Sequence, residues 1–437
     1  MVRARTVITG IGAISPIGNS VKELWEGLCT GRCGIDRITA FDPSNFTCQI
    51  GGEVKDFKIR DYIPKSFRKS TKLMSRDIEL AIGAAKEAVE DAGIITKASE
   101  TGQVNIDPTR TAIILGAGLI SCDLVELAPA VAASITDGKF DIKKWGKDGL
   151  ELVTPLWLLK YLPNMLACHI GIIHDVQGPS NTITCAEAAG LLAVSEACDI
   201  IARGDSDIAL TGAAEAKVNP IVMIRQMLIK RASSENNDNP SAACRPFDSQ
   251  AKGSVFGEAA AIIVLENLDA ARARNAKIYA EIIGVGESNN INSAYEYLEP
   301  DGKGIQIAIE NALSQAQIEP KDIDLIIPHG TGIPQDDLAE SKAIEAVFGG
   351  EISNIPVFPT KSMLSNTGAA SGSLDIIAAV CAMRDGKIPA AKNCDNKASG
   401  CNLNISNRTI EKEIKNVLCC AYTYGGQTAA IVLKKIN

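Results

Sequence analysis

The stretch GPSNTITCAEAAG, residues 178–190, decides the fold. A Gly-Pro turn leads into β-branched residues, and small residues then open a helix. This pattern predicts a strand-to-helix elbow, a place where a catalytic side chain is commonly presented beside backbone N–H groups. Two side chains in the stretch could serve chemistry, Cys185 and Glu187, and they imply different proteins.

Short apolar runs recur on both sides of the elbow. They are TAIILGAG (111–118), DIALTGAAEA (207–216), AAAIIVLENL (259–268), KIYAEIIGVG (277–286), IDLIIPHG (323–330) and NVLCCAYTYGGQTAAIVLKK (416–435). They are apolar throughout, as expected of strands that are covered on both faces. Helical patterns such as LAIGAAKEAVEDAG (80–93) lie between them, so the sequence predicts an α/β fold.

Each half of the chain ends in an apolar hairpin pattern, which predicts an internal duplication. We place the N-terminal half at residues 1–268 and the C-terminal half at residues 269–437. Residues 119–165 form a long excursion that holds two of the three tryptophans, and we interpret it as a cap or a subunit interface.

Composition excludes several classes of protein. The formal net charge of −8 and the lack of a dominant basic face argue against a nucleic-acid binder. Charges or glycines break every apolar run well short of the roughly 20 residues that span a bilayer, so no membrane span is expected. Thirteen scattered cysteines and the absence of a signal-peptide pattern favour reduced thiols in the cytoplasm. The glycines of TGIGAISPIG, at 9–18, lack the third glycine of a dinucleotide site.

Three further segments carry informative residues: PHGTGIPQDDLAE (328–340), PTKSMLSNTGAASG (359–372) and AYTYGGQT (421–428). Together with the elbow and in this order, they make the chain resemble the type II β-ketoacyl-acyl-carrier-protein synthases of the thiolase-like superfamily. The resemblance implies a five-layered α/β/α/β/α fold built from two duplicated halves. It also implies acyl transfer, in which an elbow cysteine takes an acyl chain from a carrier protein and two histidines assist malonyl decarboxylation.

The resemblance assigns roles to residues of the second half. His329 matches the first catalytic histidine, and Asn366 stands at the place of the second. Asn can donate a hydrogen bond to a carbonyl but cannot carry a proton. Lys361 and Glu340 match a supporting pair, which we expect to be a buried ion pair. Asp337 is expected to support the His329 loop.

The resemblance also covers the C-terminal loop and the nucleophile. Tyr424 falls where the family has a residue that gates the acyl pocket, and Gly425 belongs to the loop that helps to bind the oxyanion. The family cysteine is the seventh residue after Gly-Pro-Ser, and here that residue is Glu187. Cys185 lies two residues earlier, about 6–7 Å along a strand. Cys185 is therefore interpreted as a structural cysteine.

Three functions remain open for a synthase relative with Glu187 at the elbow. The first is a non-condensing partner subunit similar to a chain length factor. The second is a malonyl-carrier-protein decarboxylase, or a condensing enzyme that uses an altered route. The third is a thioester hydrolase with an acid–base dyad of Glu187 and His329.

The resemblance implies acyl carrier protein as a partner, and a basic cluster of Lys65, Arg68 and Lys69 matches its docking site. Lys72 and Arg76 follow that cluster. No cofactor is expected, because phosphopantetheine arrives on the carrier protein. A homodimer or a heterodimer with a competent ketosynthase is expected. No metal site is expected, since the other two histidines, at positions 169 and 174, have no ligand-like spacing with a cysteine or carboxylate.

Overall fold

The structure is a computed structural model that describes residues 4–292 and 297–436. Its strands are β1 (Thr6–Ile14), β2 (Ile35–Arg37), β3 (Ile50–Gly52), β4 (Thr111–Ala117), β5 (Ile135–Thr136), β6 (Lys139–Phe140), β7 (Ser180–Thr184), β8 (Ile208–Ala216), β9 (Glu258–Asn267), β10 (Ala280–Asn289), β11 (Leu325–Ile327), β12 (Pro356–Val357), β13 (Lys387–Ile388), β14 (Asn404–Ile405), β15 (Ile410–Glu411), β16 (Asn416–Tyr422) and β17 (Gln427–Lys434).

The α-helices are α1 (Val21–Thr30), α2 (Arg76–Asp91), α3 (Leu124–Ala133), α4 (Ile142–Lys144), α5 (Met165–His174), α6 (Ala189–Arg203), α7 (Pro220–Leu228), α8 (Leu268–Ala273), α9 (Lys303–Ala316), α10 (Pro334–Phe348), α11 (Lys361–Leu364) and α12 (Ala370–Asp385). Short 3₁₀ segments connect several of them, including Lys65–Leu73 and Ala186–Ala188.

Two five-stranded arrays repeat one topology. The strand order is β1-β9-β8-β4-β7 in the first array and β10-β17-β16-β11-β12 in the second, where β14 extends the outer edge. β4 runs parallel to β7 and β8, as β11 does to β12 and β16, and each half ends in an antiparallel return strand. A short antiparallel pairing of β1 with β10 joins the arrays. This is the thiolase-like α/β fold that the resemblance predicts.

Equivalent glycines in β1 and β10 let a helix pack closely on each array. A Cβ on Gly12 would lie 2.1 Å from the carbonyl oxygen of Ala84 in α2, and a Cβ on Gly286 would lie 2.0 Å from that of Ala308 in α9. Only glycine permits such close backbone approach. The glycines of the TGIG stretch therefore serve helix–strand packing.

Two buried helices lie between the arrays. α6 contacts β4 and β8, α12 contacts β16, and the two helices contact each other. A Cβ on Gly190 in α6 would lie 2.6 Å from the carbonyl oxygen of Ala369, just before α12. With α2 and α9 on the outer faces, the order of layers is helix, sheet, helices, sheet, helix. The predicted boundary between residues 268 and 269 falls at the start of α8 and stays a prediction.

The excursion at 119–165 forms α3, α4, a β5–β6 hairpin and short helical turns on the surface. It exposes many large apolar side chains, among them Val125 at 86% and Ile142 at 68%. Apolar patches of this kind mark interaction surfaces. Over residues 4–292 and 297–436, every helix is too short or too polar to span a lipid bilayer.

Candidate functional site

The elbow forms where the sequence predicts it. β7 ends at Thr184, a 3₁₀ turn covers Ala186–Ala188, and α6 follows at once. Ala186 has a φ of +42°, a left-handed conformation that is strained for a residue with a Cβ. That turn places Glu187 at the start of the central helix, where only 7% of the residue is exposed.

The thiol of Cys185 does not replace the missing nucleophile. Its side chain packs against Ala189, Ala213 and Ala369. Burial raises the pKa of Cys185, and the charge of Glu187 adds to this rise. Because neither ring nitrogen of His329 has a hydrogen-bond partner, the imidazole does not activate this thiol. The position supports the interpretation of Cys185 as a structural residue.

Glu187 belongs to a buried ionic cluster. Its Oε1 lies 3.1 Å from Lys217 Nζ, and the same ammonium nitrogen lies 3.5 Å from Glu215 Oε1. Burial opposes the ionisation of Glu187, but the charges of Lys217 and Arg231 outweigh it and hold the pKa of Glu187 below its ordinary value. Burial raises the pKa of Glu215, and the neighbouring Glu187 adds to that rise. Glu187 is thus an ionised carboxylate.

Sequence reasoning missed Lys217 and Arg231. Lys217 directly follows the apolar strand β8, where it shares one side with Glu215 two residues earlier. A charged pair at the end of a strand that is otherwise apolar is the signal that could have found it. Arg231 opens the polar stretch 231–248, which is a loop in the structure, yet the residue is only 5% exposed.

His329 lies at the centre of the site and is fully buried. Its ring packs edge-on against Tyr422, with 4.7 Å between ring centroids. Burial lowers the pKa of His329 well below its ordinary value, and the cations Lys361, Arg231 and Lys217 lower it further. The imidazole is therefore neutral, so one ring nitrogen can donate a hydrogen bond and the other can accept one.

The expected ion pair between Lys361 and Glu340 is wrong. Lys361 Nζ lies 3.2 Å from Asp375 Oδ2 in α12, and both side chains are buried. Glu340 instead accepts hydrogen bonds from the backbone N–H groups of His329, at 2.6 Å, and Gly330, at 2.8 Å. The physical reason is that α10 directs Glu340 at the backbone of the His329 loop, whereas Asp375 lies opposite the lysine.

Asp337 also supports the loop that carries His329. Its carboxylate accepts hydrogen bonds from the backbone N–H of Thr331, at 2.7 Å, and from that of Phe247, at 2.8 Å. The carboxylate thus connects the His329 loop to a second loop. Asp337 and Glu340 therefore hold the backbone of the His329 loop in place, and neither side chain forms a hydrogen bond with the imidazole nitrogens of His329.

Asn366 begins the equivalent turn of the second half, just before α12. Its Oδ1 accepts the N–H of Gly368 at 3.0 Å, which leaves the amide nitrogen as the donor. The residues immediately before Glu187, Arg231 and Asn366 all have positive φ angles without being glycine, and they are Ala186 (+42°), Lys230 (+56°) and Ser365 (+65°). Strained residues of this kind cluster at functional sites.

The C-terminal loop between β16 and β17 lies beside the cluster. The ring of Tyr424 stacks on the guanidinium of Arg231, at 4.7 Å from ring centroid to Cζ. The N–H of Gly425 donates to Thr423 Oγ1 at 2.8 Å. The N–H of Gly425 is thus used within the loop itself, and the role of this loop in binding an oxyanion stays a prediction.

The basic cluster predicted for carrier-protein docking is on the surface. Lys65, Arg68 and Lys69 are exposed on the 3₁₀ segment Lys65–Leu73. Arg76 is not part of the exposed cluster, because its guanidinium lies 2.9 Å from Glu258 Oε1.

The remaining histidines are structural in this fold. His169 and His174 are buried in α5, and His174 Nδ1 lies 2.9 Å from Thr96 Oγ1. Burial lowers the pKa of His174 to about 4. Within the described ranges, no group of histidine, cysteine and carboxylate side chains could hold a metal ion.

Known proteins resemble this chain over its whole length. Residues 3–271 match the family model described as "Beta-ketoacyl synthase, N-terminal domain", and residues 279–395 match "Beta-ketoacyl synthase, C-terminal domain". The 3-oxoacyl-(acyl-carrier-protein) synthase 2 of Coxiella burnetii is 33% identical over 440 residues, with 100% of each chain covered. The enzyme of the same name from Staphylococcus aureus is 34% identical over 436 residues, with 99% of each covered.

Two solved structures are similar over the full length of both chains. The ishigamide ketosynthase/chain length factor aligns with a TM-score of 0.84 and 31% identity. A type II polyketide-synthase acyl-carrier protein in complex with its ketosynthase, bound to the hexaketide, aligns with a TM-score of 0.83 and 25% identity. With both family models matched around an elbow that carries Glu187, this chain belongs to the β-ketoacyl synthase family.

Proposed function

We propose that this chain is a non-condensing partner subunit, similar to a chain length factor, that works with a competent ketosynthase on acyl groups held by acyl carrier protein in fatty acid or polyketide synthesis. One observation carries the proposal: Glu187 occupies the elbow as a carboxylate that is ion-paired with Lys217 at 3.1 Å. Condensation needs a thiolate there to hold the growing chain as a thioester. A carboxylate cannot form that intermediate.

The ion pair also disfavours acylation of Glu187 itself. An acyl group on this oxygen would give a mixed anhydride and would remove the negative charge that faces Lys217. The buried ammonium would then keep only Glu215 as a counter-ion. Removing one partner from a buried charge cluster is strongly unfavourable. The cluster therefore favours an elbow that stays unmodified.

The surface supports a partner subunit. Most of the exposed large apolar side chains lie in the excursion: Leu119, Leu124, Val125, Ile135, Phe140, Ile142, Leu150, Leu152, Leu156 and Leu158. β7 is an edge strand that pairs only with β4 among the described strands, and Ser180, Asn181 and Thr184 are exposed. An open strand edge and an exposed apolar surface are each suited to contact with a second subunit. Pairing with a sister ketosynthase is preferred to self-pairing, because a homodimer would have no elbow thiol.

Similar proteins support the same partners. One solved relative is described as a ketosynthase/chain length factor, and another is a ketosynthase complex with its acyl-carrier protein. The exposed Lys65, Arg68 and Lys69 supply positive charge for an acidic carrier protein. Phosphopantetheine would arrive on that carrier, so the chain needs no cofactor of its own. Action in the cytoplasm stays a prediction.

To test the proposal, the chain is incubated with an acyl-carrier-protein thioester, first alone and then together with each ketosynthase from the same organism. Intact-protein mass spectrometry should show no acyl adduct on this chain, and co-expression should yield a heterodimer that makes products of defined length. Val125→Glu in the excursion should abolish the heterodimer. Leu228→Glu is the matched control, since Leu228 is 75% exposed but lies on α7. Elongation by this chain alone would defeat the proposal.

A second candidate is decarboxylation of malonyl-carrier protein, which the neutral, unpartnered imidazole of His329 favours. The bond between the carboxylate carbon and the α-carbon would break, carbon dioxide would leave, and the electron pair would form an enolate. His329 and Asn366 would donate hydrogen bonds to the enolate oxygen, and water would return a proton. Repulsion between a bare Glu187 and a malonyl carboxylate 5 Å away would be about 3 kcal/mol at an effective dielectric near 20. Lys217 offsets part of it.

Carbon dioxide release from malonyl-carrier protein tests this second candidate. His329→Ala should abolish release, while Cys185→Ser should leave it intact, because Cys185 packs among alanines. A chain that releases no carbon dioxide from malonyl-carrier protein is not a decarboxylase.

The geometry does not favour the other functions. A hydrolytic dyad needs a hydrogen bond between Glu187 and His329, but both ring nitrogens of His329 lack hydrogen-bond partners and Glu187 binds Lys217. A condensing route through Cys185 would need an activated thiol, whereas burial raises the pKa of Cys185.

A further inference from the structure

Arg231 connects parts of the site that are distant in sequence. Its Nη2 donates to Asp336 Oδ2 at 2.6 Å, in the first turn of α10, and its guanidinium stacks on the ring of Tyr424. Its charge also helps to hold the pKa of Glu187 below the ordinary value. Two elements, α10 and the C-terminal loop, therefore meet at one buried arginine, whose charge also acts on the elbow carboxylate.

The backbone around Arg231 is fixed, so its side chain has a fixed origin. The N–H of Arg231 donates to the carbonyl of Gln226 at 2.9 Å, and its own carbonyl accepts the N–H of Ser254 at 2.8 Å. Asp336 is fixed as well, since its second oxygen accepts the N–H of Leu298 at 3.1 Å. These hydrogen bonds hold the guanidinium in place independently of Tyr424.

The loop that carries Tyr424 has few other ties. It spans 423–426 between β16 and β17, and its internal hydrogen bonds join Gly425 and Gly426 to Thr423. The ends of the loop continue the β16–β17 hairpin, since the N–H of Thr423 donates to the carbonyl of Gln427 at 2.9 Å and Thr428 Oγ1 donates to the carbonyl of Gly426 at 3.4 Å. Beyond the hairpin, the N–H of Asn290 donates to the carbonyl of Gly426 at 3.2 Å. Stacking of a buried cation on an aromatic face adds a contact that is strong for so short a loop.

We propose that Arg231 is a positioning residue that holds the Tyr424 loop closed beside Glu187, so that any group entering the site past this loop must first separate the ring from the guanidinium. The ion pair with Asp336 keeps the arginine in place when the loop opens. The loop is the one that the family resemblance names as the pocket gate. Its closure depends on Arg231 whether or not the chain works as a partner subunit.

Hydrogen exchange of the isolated full-length chain tests this proposal without any partner. Arg231→Met and Tyr424→Leu should each speed exchange of the Thr423, Gly425 and Gly426 amides by about tenfold, while amides in the middle of β16 and β17 keep their rates. Tyr424→Phe should retain most of the protection, because the ring face remains.

A double variant shows whether Arg231 and Tyr424 protect the loop through one shared contact or through independent effects on loop stability. Arg231→Met combined with Tyr424→Leu should exchange no faster than the faster single variant, since both remove one contact. Arg274→Met is the matched control, because it removes another arginine that pairs with a buried carboxylate, Glu266 on β9, and should leave the loop amides unchanged. Unchanged loop exchange in Tyr424→Leu, or effects that multiply in the double variant, would overturn the proposal. Tyr424→Leu decides the matter even if Arg231→Met does not fold, because Tyr424 is only partly buried.

Discussion

Lys217 Nζ lies between two carboxylates, 3.1 Å from Glu187 Oε1 and 3.5 Å from Glu215 Oε1, and all three side chains are nearly inaccessible to water. One cation thus forms ion pairs with both the elbow residue and a residue of β8. Glu215 in turn accepts the N–H of Ala369 at 2.7 Å, directly before α12. Lys217 is therefore the residue through which the elbows of the two halves are connected.

Lys217→Met should destabilise the protein. It removes the only cation within ion-pair distance of both Glu187 and Glu215 among the described residues, and breaking a buried pair in this way costs about 3–5 kcal/mol of unfolding free energy. Urea unfolding followed by circular dichroism measures the change.

Two controls show whether the loss comes from the uncompensated charge. The double variant Glu187→Gln with Lys217→Met removes both charges of the pair and should recover a large part of the stability. Lys86→Met breaks an exposed ion pair with Glu90 and should cost less than about 1 kcal/mol. A double variant as unstable as Lys217→Met would show that the ion pair is not the cause.

Glu187→Cys should create a reactive thiol. The new side chain would lie near Lys217 and Arg231, and nearby cations lower the pKa of a cysteine. We expect this variant to take an acyl group from acyl-carrier protein, which the wild-type chain should not do. Intact-protein mass spectrometry detects the adduct, and peptide mapping locates it.

Cys185→Ser in the Glu187→Cys background is the control for this experiment. It should leave acylation unchanged, because Cys185 packs among alanines and lacks an activating base. If Cys185→Ser abolishes acylation, or if the adduct maps to Cys185, then Cys185 and not residue 187 occupies the position of the family nucleophile.

Much of the fold could be predicted from the sequence, because its signals are local. The Gly-Pro turn and the small residues that follow predict the elbow, and the apolar runs on both sides of it predict an α/β fold with two similar halves. Gly12 packs on α2 in the first half as Gly286 packs on α9 in the second. The two halves therefore share a structure although their sequences have little in common. Glu187 and His329 were placed by motif, and both lie in the site.

The charge partners could not be predicted, because they depend on packing between distant segments. Lys361 pairs with Asp375 and not with Glu340, although Asp375 lies in a helix that is buried along most of its length. The cation beside Glu187 comes from Lys217, 30 residues away in sequence. Nothing in the local patterns fixes which buried acid meets which buried base.

Arg68→Glu with Lys69→Glu should weaken binding of acyl carrier protein. The exposed charges act across a hydrated interface, where each pair contributes up to about 1 kcal/mol, so a combined loss of about tenfold in affinity is expected at low salt. Fluorescence anisotropy at two salt concentrations measures it, and the difference should shrink as salt rises. Lys321→Glu, on the exposed surface of the other half, is the matched control. Equal affinities for wild type and the double variant would remove the docking site from this segment.

Stability should fall as pH rises from 7 to 8, and Glu340 should be a main cause. Burial raises the pKa of Glu340 from its ordinary value of 4.5 to about 8. Between these values the folded chain holds a proton that the unfolded chain has lost, so its stabilising effect is complete below pH 4.5 and is lost as pH approaches 8. One such group contributes at most about 1.4 kcal/mol per pH unit.

Glu340→Gln tests this dependence, because glutamine does not titrate. Urea unfolding at pH 7 and 8 should show a shallower loss of stability in the variant than in the wild type. The variant should also be less stable at pH 7, since one glutamine oxygen cannot accept both backbone N–H groups that Glu340 binds. Glu413→Gln, an exposed residue, should leave the slope unchanged. Equal slopes in Glu340→Gln and the wild type would mean that Glu340 is already ionised at pH 7, as a carboxylate held by the N–H groups of the His329 loop.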